Sequence, residues 1–163
     1  MPRTLGIMLS WSTYGMWLRG DARGWVQKGI VFPADPILQQ ADRARLLHEP
    51  FTFARPQRTL AGELIGEAAR SLGAVLHALH VGRWHLHLLV AYLPVPLPRI
   101  VKTLKDRVRR GLGYRRPIWV EGYDHRFCFD VNTMMNRINY ICRHNVEDGL
   151  PQDPWGFIVP YLP

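Results

Sequence analysis

The sequence predicts an α+β protein, a two-layer sandwich in which helices pack on an antiparallel sheet. Two observations lead to this fold class. Strand-like and helix-like patterns alternate along the chain in the order strand, helix, strand hairpin, helix, strand, helix. In the middle of the chain, two apolar runs flank Gly82-Arg83, which suits a tight hairpin turn. With 163 residues and no internal repeat, the chain has the length of one domain.

The first third of the chain predicts one strand followed by a long irregular region. Residues 4–10, "TLGIMLS", are an apolar run typical of a buried strand. The next stretch, "WSTYGMWLRGDARGW", is rich in glycine, tryptophan and arginine and predicts a loop. Prolines recur through residues 31–58, so we expect a Pro-rich insertion at about 18–58, with a short helix around residues 37–48. The single domain is expected to span 1–163 and to end in an irregular tail at about 151–163.

Three amphipathic segments and one hairpin account for most of the remaining chain. Residues 59–72 carry an apolar side chain at every fourth position from Leu60 to Leu72, which predicts a helix with Thr59 as its N-cap. The other predicted elements are strands at 75–81 and 84–91, a helix at 98–110, extended segments at 118–120 and 126–129, and a helix from 132 or 133 to 147.

The composition favours a polyanionic partner. Lysine and arginine number 21 against 13 acidic residues, giving a formal net charge of +8. Such an excess is typical of nucleic-acid-binding proteins, although many basic soluble proteins share it. The two cysteines lack metal-site or disulfide-scaffold spacing, and no apolar run is long enough for a signal sequence or a membrane helix. We therefore expect a cytoplasmic protein.

The stretch "RWHLHLLV" places two histidines inside an apolar strand. Residues i and i+2 of a strand share a face, so His85 and His87 project side by side, away from Leu86 and Leu88. Two imidazoles in this arrangement can ligate one metal ion, although half-exposed histidines without a metal are the commoner occurrence. A turn at Gly82-Arg83 would pair His80 with His85 and place His80 on the same face.

A second pattern lies in the last predicted helix, in "NYICRHNVEDGL". Tyr140 and His144 are four residues apart, so they share one side of that helix, next to its apolar stripe. Taken alone, this pair is compatible with an ordinary helix that carries a tyrosine at the edge of the core.

Read together, "HLHLLV" and "YICRHNVEDGL" resemble the HUH single-strand DNA endonucleases. More narrowly, they resemble the tyrosine transposases of small insertion sequences and the REP-associated tyrosine transposases. That family has a His-hydrophobic-His strand and a late helix reading Tyr-Ile-x-x-Asn-Pro-Val-x-x-Gly-Leu. The early "WSTYGMWLRGDARGW" and the later "GYDHRF" are also similar to family segments. The resemblance spans roughly residues 9–150. It implies a ferredoxin-like or RRM-like sandwich with the helices on one face of the sheet.

The resemblance also implies a site and a reaction. Tyr140 would be the catalytic nucleophile, forming a 5′-phosphotyrosine and releasing a 3′-OH. A divalent cation, Mg²⁺ or Mn²⁺, would be bound by His85, His87 and His144, and imidazole ligands favour Mn²⁺ or a later transition metal. This chain departs from the family motif because His144 stands where the family has Asn. Asn145, which stands where the family has Pro, is a fallback ligand.

Further groups are needed to activate the tyrosine and to bind DNA. His80 and His125 are candidate bases, each with a structural or solvent-facing role as the alternative. Aromatic residues interleave with arginines in the early loop and could stack on unpaired bases, although burial is the alternative for at least half of the tryptophans. Phosphate contacts would position the strand without reading its sequence. The candidate nucleic-acid-binding residues are Lys102, Lys105, Arg109, Arg110, Arg115, Arg116, Arg19 and Arg23, and the candidate stacking residues are Trp11, Tyr14, Trp17 and Trp25.

Three functions remain open on the sequence. The first is a metal-dependent single-stranded DNA endonuclease and strand-transferase acting on single-stranded or hairpin DNA, as a monomer or a homodimer associated with the nucleoid. The second is a domesticated, non-catalytic protein that binds hairpin DNA or RNA on the same fold. The third is a hydrolase that uses a histidine-bound transition metal on an unrelated substrate.

Overall fold

A four-stranded antiparallel sheet forms the centre of the computed structural model, which describes residues 1–163. Its strands lie in the spatial order β4-β5-β1-β6. The strands of the chain are β1 (Gly6–Ser12), β2 (Trp25–Gln27), β3 (Ile30–Phe32), β4 (Leu76–Val81), β5 (His85–Ala91) and β6 (Asp124–Cys128). The helices are α1 (Pro36–Ala44), α2 (Arg55–Ser71), α3 (Leu97–Gly111) and α4 (Val131–Glu147).

Helices cover both faces of the sheet. Alternate residues of β1, represented by Leu9, pack in the larger hydrophobic cluster with α2 and α3. The intervening residues, represented by Met8, pack in a smaller cluster with α4. The predicted α+β class and antiparallel sheet are confirmed, and the order β1-α2-β4-β5-α3-β6 is that of a ferredoxin-like core. The expectation that all helices share one face holds for α2 and α3 but not for α4, whose apolar stripe covers the opposite side.

The hairpin between β4 and β5 differs from the predicted two-residue turn. Val81 pairs with Leu86 and His80 with His87, two residues away from the predicted register, so Gly82 stands opposite His85 and the turn lies at Arg83-Trp84. The Gly82 amide donates to the His85 carbonyl, 2.8 Å away. A type II′ turn requires a positive φ at Gly82, and Gly82 does not adopt one. His80 therefore lies opposite His87 rather than His85, yet it still points to the predicted face.

Several boundaries shift for identifiable reasons. Helix α2 begins four residues before the predicted Thr59, because Pro56 suits its first turn and the Gln57 side chain accepts a hydrogen bond from the Ala54 amide. Helix α4 begins just after Asp130, whose carboxylate caps the Thr133 amide at 2.7 Å. The predicted extended segment at 118–120 contains only one isolated bridge, between Trp119 and Thr13.

The C-terminal tail protects one edge of the sheet. The Val159 amide donates to the Leu76 carbonyl on the outer side of β4. Trp155 is buried against Gly62 of α2, where any larger residue would collide with the indole ring. None of the four helices has the length and apolar character required to cross a membrane.

Candidate active site

Four histidines converge between the sheet and α4. His85 and His87 come from β5, His80 from β4, and His144 from α4. The ring centroids lie 4.9 Å apart for His85 and His87, 5.3 Å for His87 and His144, and 5.1 Å for His80 and His144. The structure thus brings together the three predicted ligands, His85, His87 and His144, and adds His80 to them.

The strand register explains why these rings meet. His87 lies opposite Ser10 on one side and His80 on the other, so all three side chains leave the sheet toward α4. Leu86 and Leu88, which alternate with the histidines, are fully buried in the α2–α3 core. The leucines therefore fix the face on which the histidines project.

The histidine cluster has the chemistry that a metal ion needs. One ligand nitrogen from each of His80, His85 and His144 lies within 4.8 Å of the others. Burial, together with neighbouring imidazoles, lowers the pKa of His85 to about 4 and that of His87 to about 3. Both rings are therefore neutral near pH 7 and keep a lone pair for coordination.

His87 is oriented by a neighbour on β1. Its Nδ1 lies 2.6 Å from Ser10 Oγ, which leaves Nε2 as the nitrogen available to a metal. The three histidines whose ligand nitrogens lie within 4.8 Å of one another include His80 and not His87, although the His87 ring lies beside both His85 and His144.

Tyr140 stands at the open side of this cluster. Its ring centroid is 4.7 Å from that of His144 and 5.7 Å from that of His87, and the residue is 38% exposed. The i, i+4 spacing on α4 accounts for the contact with His144. A phenol in this position is accessible to a large substrate while it touches the groups that could hold a cation.

His144 and Asn145 occupy different environments. Asn145 is fully buried, and its Nδ2 donates to the carbonyls of Leu79 and Gln152 at 2.9 Å each. That amide therefore joins α4 to β4 and to the tail, whereas His144 lies among the other histidines.

A chain of polar groups extends from His80 behind the cluster. His80 is 2% exposed, and its Nε2 lies 2.8 Å from Asp148 Oδ2. The same carboxylate oxygen contacts the Arg58 guanidinium, whose Nε also donates to the Val81 carbonyl at 2.9 Å. Burial lowers the pKa of His80 more than the Asp148 carboxylate raises it.

The predicted basic residues of α3 are not next to the histidines, because α3 covers the other face of the sheet. Several of them are engaged within the protein. Lys105 donates to the carbonyls of Val120 and Gly122, and burial lowers its pKa to about 8. Arg109 donates to the Tyr114 carbonyl. A cavity of about 730 Å³ lies beside them, with Lys102, Arg109 and Arg115 in its wall.

The remaining predicted basic residues divide into paired and free groups. Arg19 forms two hydrogen bonds with Asp42, Lys102 pairs with Asp106, and Arg116 donates to the Glu49 carbonyl. Arg110 and Arg115 are exposed and make no side-chain hydrogen bond or ion pair. These two therefore remain free to contact a phosphate.

Two tryptophans and an arginine form a stacked group next to the histidine cluster. The Arg23 guanidinium, held by Asp21, lies 4.1 Å from the centre of the Trp17 ring and 4.4 Å from that of Trp84. Trp84 in turn packs against His85, with ring centroids 4.4 Å apart. Trp17 is 41% exposed. Trp84 was not among the predicted residues, because its proximity depends on the hairpin connection.

The other candidates in the early loop and on β6 lie elsewhere. Trp11 and Trp25 are buried, as expected for at least half of the tryptophans, and Tyr14 packs against the larger core cluster. His125 pairs with Leu9 and so points to the α2–α3 side of the sheet, away from Tyr140. His125 is therefore excluded as a base for that tyrosine.

Comparison with known proteins places this arrangement on a known fold. No protein-family model matches the sequence, and no curated protein matches it. A REP-associated tyrosine transposase, solved bound to a REP hairpin, superposes with a TM-score of 0.59 at 10% sequence identity, covering 96% of this chain and 78% of that one. A protein from Deinococcus radiodurans R1, assigned provisionally as a transposase, gives a TM-score of 0.46 at 19% identity over 88% of this chain and 93% of that one. The second likeness is too loose to support an inference. The first shows that this chain has the fold of a REP-associated tyrosine transposase, as the resemblance in its motifs predicts.

Proposed function

We propose that the protein is a metal-dependent single-stranded DNA endonuclease and strand-transferase with Tyr140 as its nucleophile. The observation that carries the proposal is the contact of the exposed Tyr140 ring with His144 and His87. A phenol beside imidazoles that can hold a divalent cation, on the fold of a tyrosine transposase, is suited to phosphodiester cleavage by a tyrosine nucleophile.

His85, His87 and His144 would hold the divalent cation, Mg²⁺ or Mn²⁺. When bound, the ion would polarise the scissile phosphate and neutralise the charge that develops on it. The chain supports this role in two ways. Burial keeps the His85 and His87 rings neutral, and Ser10 fixes the orientation of His87.

Tyr140 Oη would attack the phosphorus atom of the strand. The new bond joins the phenolic oxygen to phosphorus, and the bond between phosphorus and the 3′ oxygen breaks. The phenolic proton would pass to a water molecule, and the departing 3′ oxygen would take a proton from water and leave as a 3′-OH. The resulting 5′-phosphotyrosine preserves the phosphodiester bond energy, so a second 3′-OH can reverse the attack and join the strand elsewhere.

Hairpin or single-stranded DNA is the proposed partner. The REP-associated transposase of the same fold was solved with a REP hairpin. In this chain, the exposed Trp17 and the Arg23 guanidinium would stack on an unpaired base next to the histidines. Arg110 and Arg115 would contact phosphates on the α3 side. A protein with this partner would act at the nucleoid.

A non-catalytic DNA-binding or RNA-binding role is the second candidate. The free arginines lie on the face of the sheet opposite Tyr140, so nucleic acid could be held without reaching the histidines. In addition, His144 stands at the position where the family motif has an Asn ligand.

A denaturing gel distinguishes the two functions. Fluorescent hairpin oligonucleotides with single-stranded flanks would be incubated with the protein and either Mn²⁺ or EDTA. We expect a protease-sensitive covalent adduct that requires metal, persists in Tyr92→Phe and is lost in Tyr140→Phe. Tyr92 is a matched control because it is an exposed tyrosine outside the histidine cluster.

Each outcome assigns the function. Loss of the adduct in Tyr140→Phe with retained hairpin binding would establish both the reaction and the nucleophile. Tight, salt-sensitive binding without an adduct on any hairpin would establish the binding protein and exclude the nuclease.

A further inference from the structure

His80 is a buried histidine that the proposed reaction does not use. It is 2% exposed, and its Nδ1 has no hydrogen-bond partner. A buried nitrogen without a partner is costly, so its retention calls for an explanation. The ring lies directly opposite His87 in the strand register and 5.1 Å from the His144 ring.

The contact with Asp148 determines which nitrogen of His80 is free. A carboxylate accepts but does not donate, so the proton between His80 Nε2 and Asp148 Oδ2 belongs to the imidazole. In the neutral ring, Nδ1 then carries the lone pair. Metal-binding histidines commonly show this arrangement, in which one nitrogen donates to a carboxylate and the other coordinates the ion.

We propose that His80 Nδ1 is an additional metal ligand, held in place by Asp148, so that the centre contains four imidazoles. The proposal rests on the proposed function for His85, His87 and His144 as ligands. Asp148 is a positioning residue, and it is itself held by Arg58. One ligand nitrogen of His80 already lies within 4.8 Å of those of His85 and His144.

A centre of four imidazoles has a definite preference among metals. Mg²⁺ favours oxygen ligands and retains its waters, whereas nitrogen ligands favour Mn²⁺ and more strongly Co²⁺, Ni²⁺ or Zn²⁺. The inference therefore favours a transition metal over Mg²⁺ as the resident ion.

Metal binding can be measured without DNA and without activity. The full chain would be stripped with EDTA and titrated with Co²⁺, Mn²⁺ and Mg²⁺ by calorimetry, with the visible absorption of Co²⁺ as a second signal. We expect one Co²⁺ site, at least 100-fold weaker Mg²⁺ binding, and at least 100-fold loss of Co²⁺ affinity in His80→Asn. Asp148→Ala should lose about 10–100-fold, and Asp148→Asn, whose amide oxygen can still accept from Nε2, should lose less.

The matched control is His125→Asn, because His125 is exposed on the other face of the sheet. It should bind Co²⁺ as the unaltered protein does. If His80→Asn does not fold, the ¹⁵N NMR shift of the His80 imidazole in the unaltered protein gives the same information. Zn²⁺ should move the Nδ1 resonance, and an unmoved resonance would refute the proposal.

The outcomes separate this inference from the proposed function. Unchanged Co²⁺ affinity and absorption in folded His80→Asn would overturn the role of His80, even if Tyr140 formed an adduct. Conversely, a His80-dependent metal site in a protein that forms no adduct would support this inference and overturn the proposed reaction.

Discussion

Two histidines of the candidate site, His85 and His87, are kept uncharged near neutral pH. His85 and His87 alternate with fully buried leucines, so both rings are drawn into the region between the sheet and α4. There, desolvation is the largest cause of their lowered pKa values, and the positive charge of one protonated ring would oppose protonation of the next. In the metal-free protein, the folded state therefore resists protonation of these rings, and acid lowers its stability relative to the unfolded chain.

Acid should therefore destabilise the metal-free protein in a defined range. The ordinary histidine pKa is 6.5, and the folded pKa values are about 4 for His85 and about 3 for His87. Below pH 6.5 the unfolded chain binds protons that the folded protein does not, so stability falls as pH falls. Each imidazole contributes a slope of up to ~1.4 kcal/mol per pH unit. Urea unfolding in EDTA between pH 6.5 and 5 measures this slope.

A double variant provides the control for this dependence. Replacement of His85 and His87 by Asn should flatten the curve over the same range, in which most carboxylates stay ionised. A slope as steep as that of the unaltered protein would show that the two histidines are not the cause.

The residues that the sequence identifies are those set by local spacing. Strand and helix periodicity place His85 beside His87 and Tyr140 beside His144, which needs no knowledge of the rest of the fold. The resemblance to the HUH endonucleases is what joins the two pairs into one expected site. Trp84 and the pairing of His80 with His87 depend on the conformation of the 82–84 connection. Gly82 permitted a positive φ, so the sequence alone favoured a turn that the protein does not adopt.

At the scale of elements, α4 carries the proposed nucleophile and one ligand, so its position relative to the sheet controls the site. Asn145 helps to fix that position, because its amide joins the helix to the Leu79 carbonyl of β4 and to the Gln152 carbonyl of the tail. The sequence offered Asn145 as a fallback ligand, since polarity shows that a side chain needs partners but does not show which.

Asn145→Ala should destabilise the protein by about 1–3 kcal/mol, because it removes the donor to the buried Leu79 carbonyl and to the Gln152 carbonyl. Urea unfolding of the metal-free protein measures this loss in the free energy of unfolding. Asn139→Ala, at an exposed position of the same helix, is the matched control and should change stability by less than about 0.5 kcal/mol. Equal losses in the two variants would contradict the anchoring role of Asn145.

At the scale of the whole molecule, the sheet separates two surfaces. The histidines, Tyr140 and α4 lie on one side, and α3 with its arginines lies on the other. Hydrophobic periodicity predicts that a segment is a helix, but it does not show on which face of the sheet the helix packs. Every amphipathic helix has the same kind of apolar stripe. The sequence therefore predicts the basic residues of α3 as nucleic-acid-binding candidates without showing that the sheet lies between them and the histidine cluster.

This separation predicts that binding strength and chemistry can be changed independently. Arg110 and Arg115 are exposed and free of internal partners, so their replacement by Gln should remove phosphate contacts alone. Hairpin affinity should fall for all sequences alike, and the slope of log K against log salt should become shallower by about 0.9 for each lost duplex contact. Arg107→Gln is the matched control, because Arg107 on α3 is already paired with Glu67.

Fluorescence anisotropy across a salt series would measure the binding, and the adduct gel at saturating hairpin would measure the chemistry. The double arginine variant should form as much Tyr140 adduct as the unaltered protein once the DNA is fully bound. If saturating DNA fails to restore the adduct, the α3 surface also aligns the strand with Tyr140, and the two faces act as one site. An unchanged salt slope would instead show that the DNA does not bind these arginines and approaches the histidines from the side of α4.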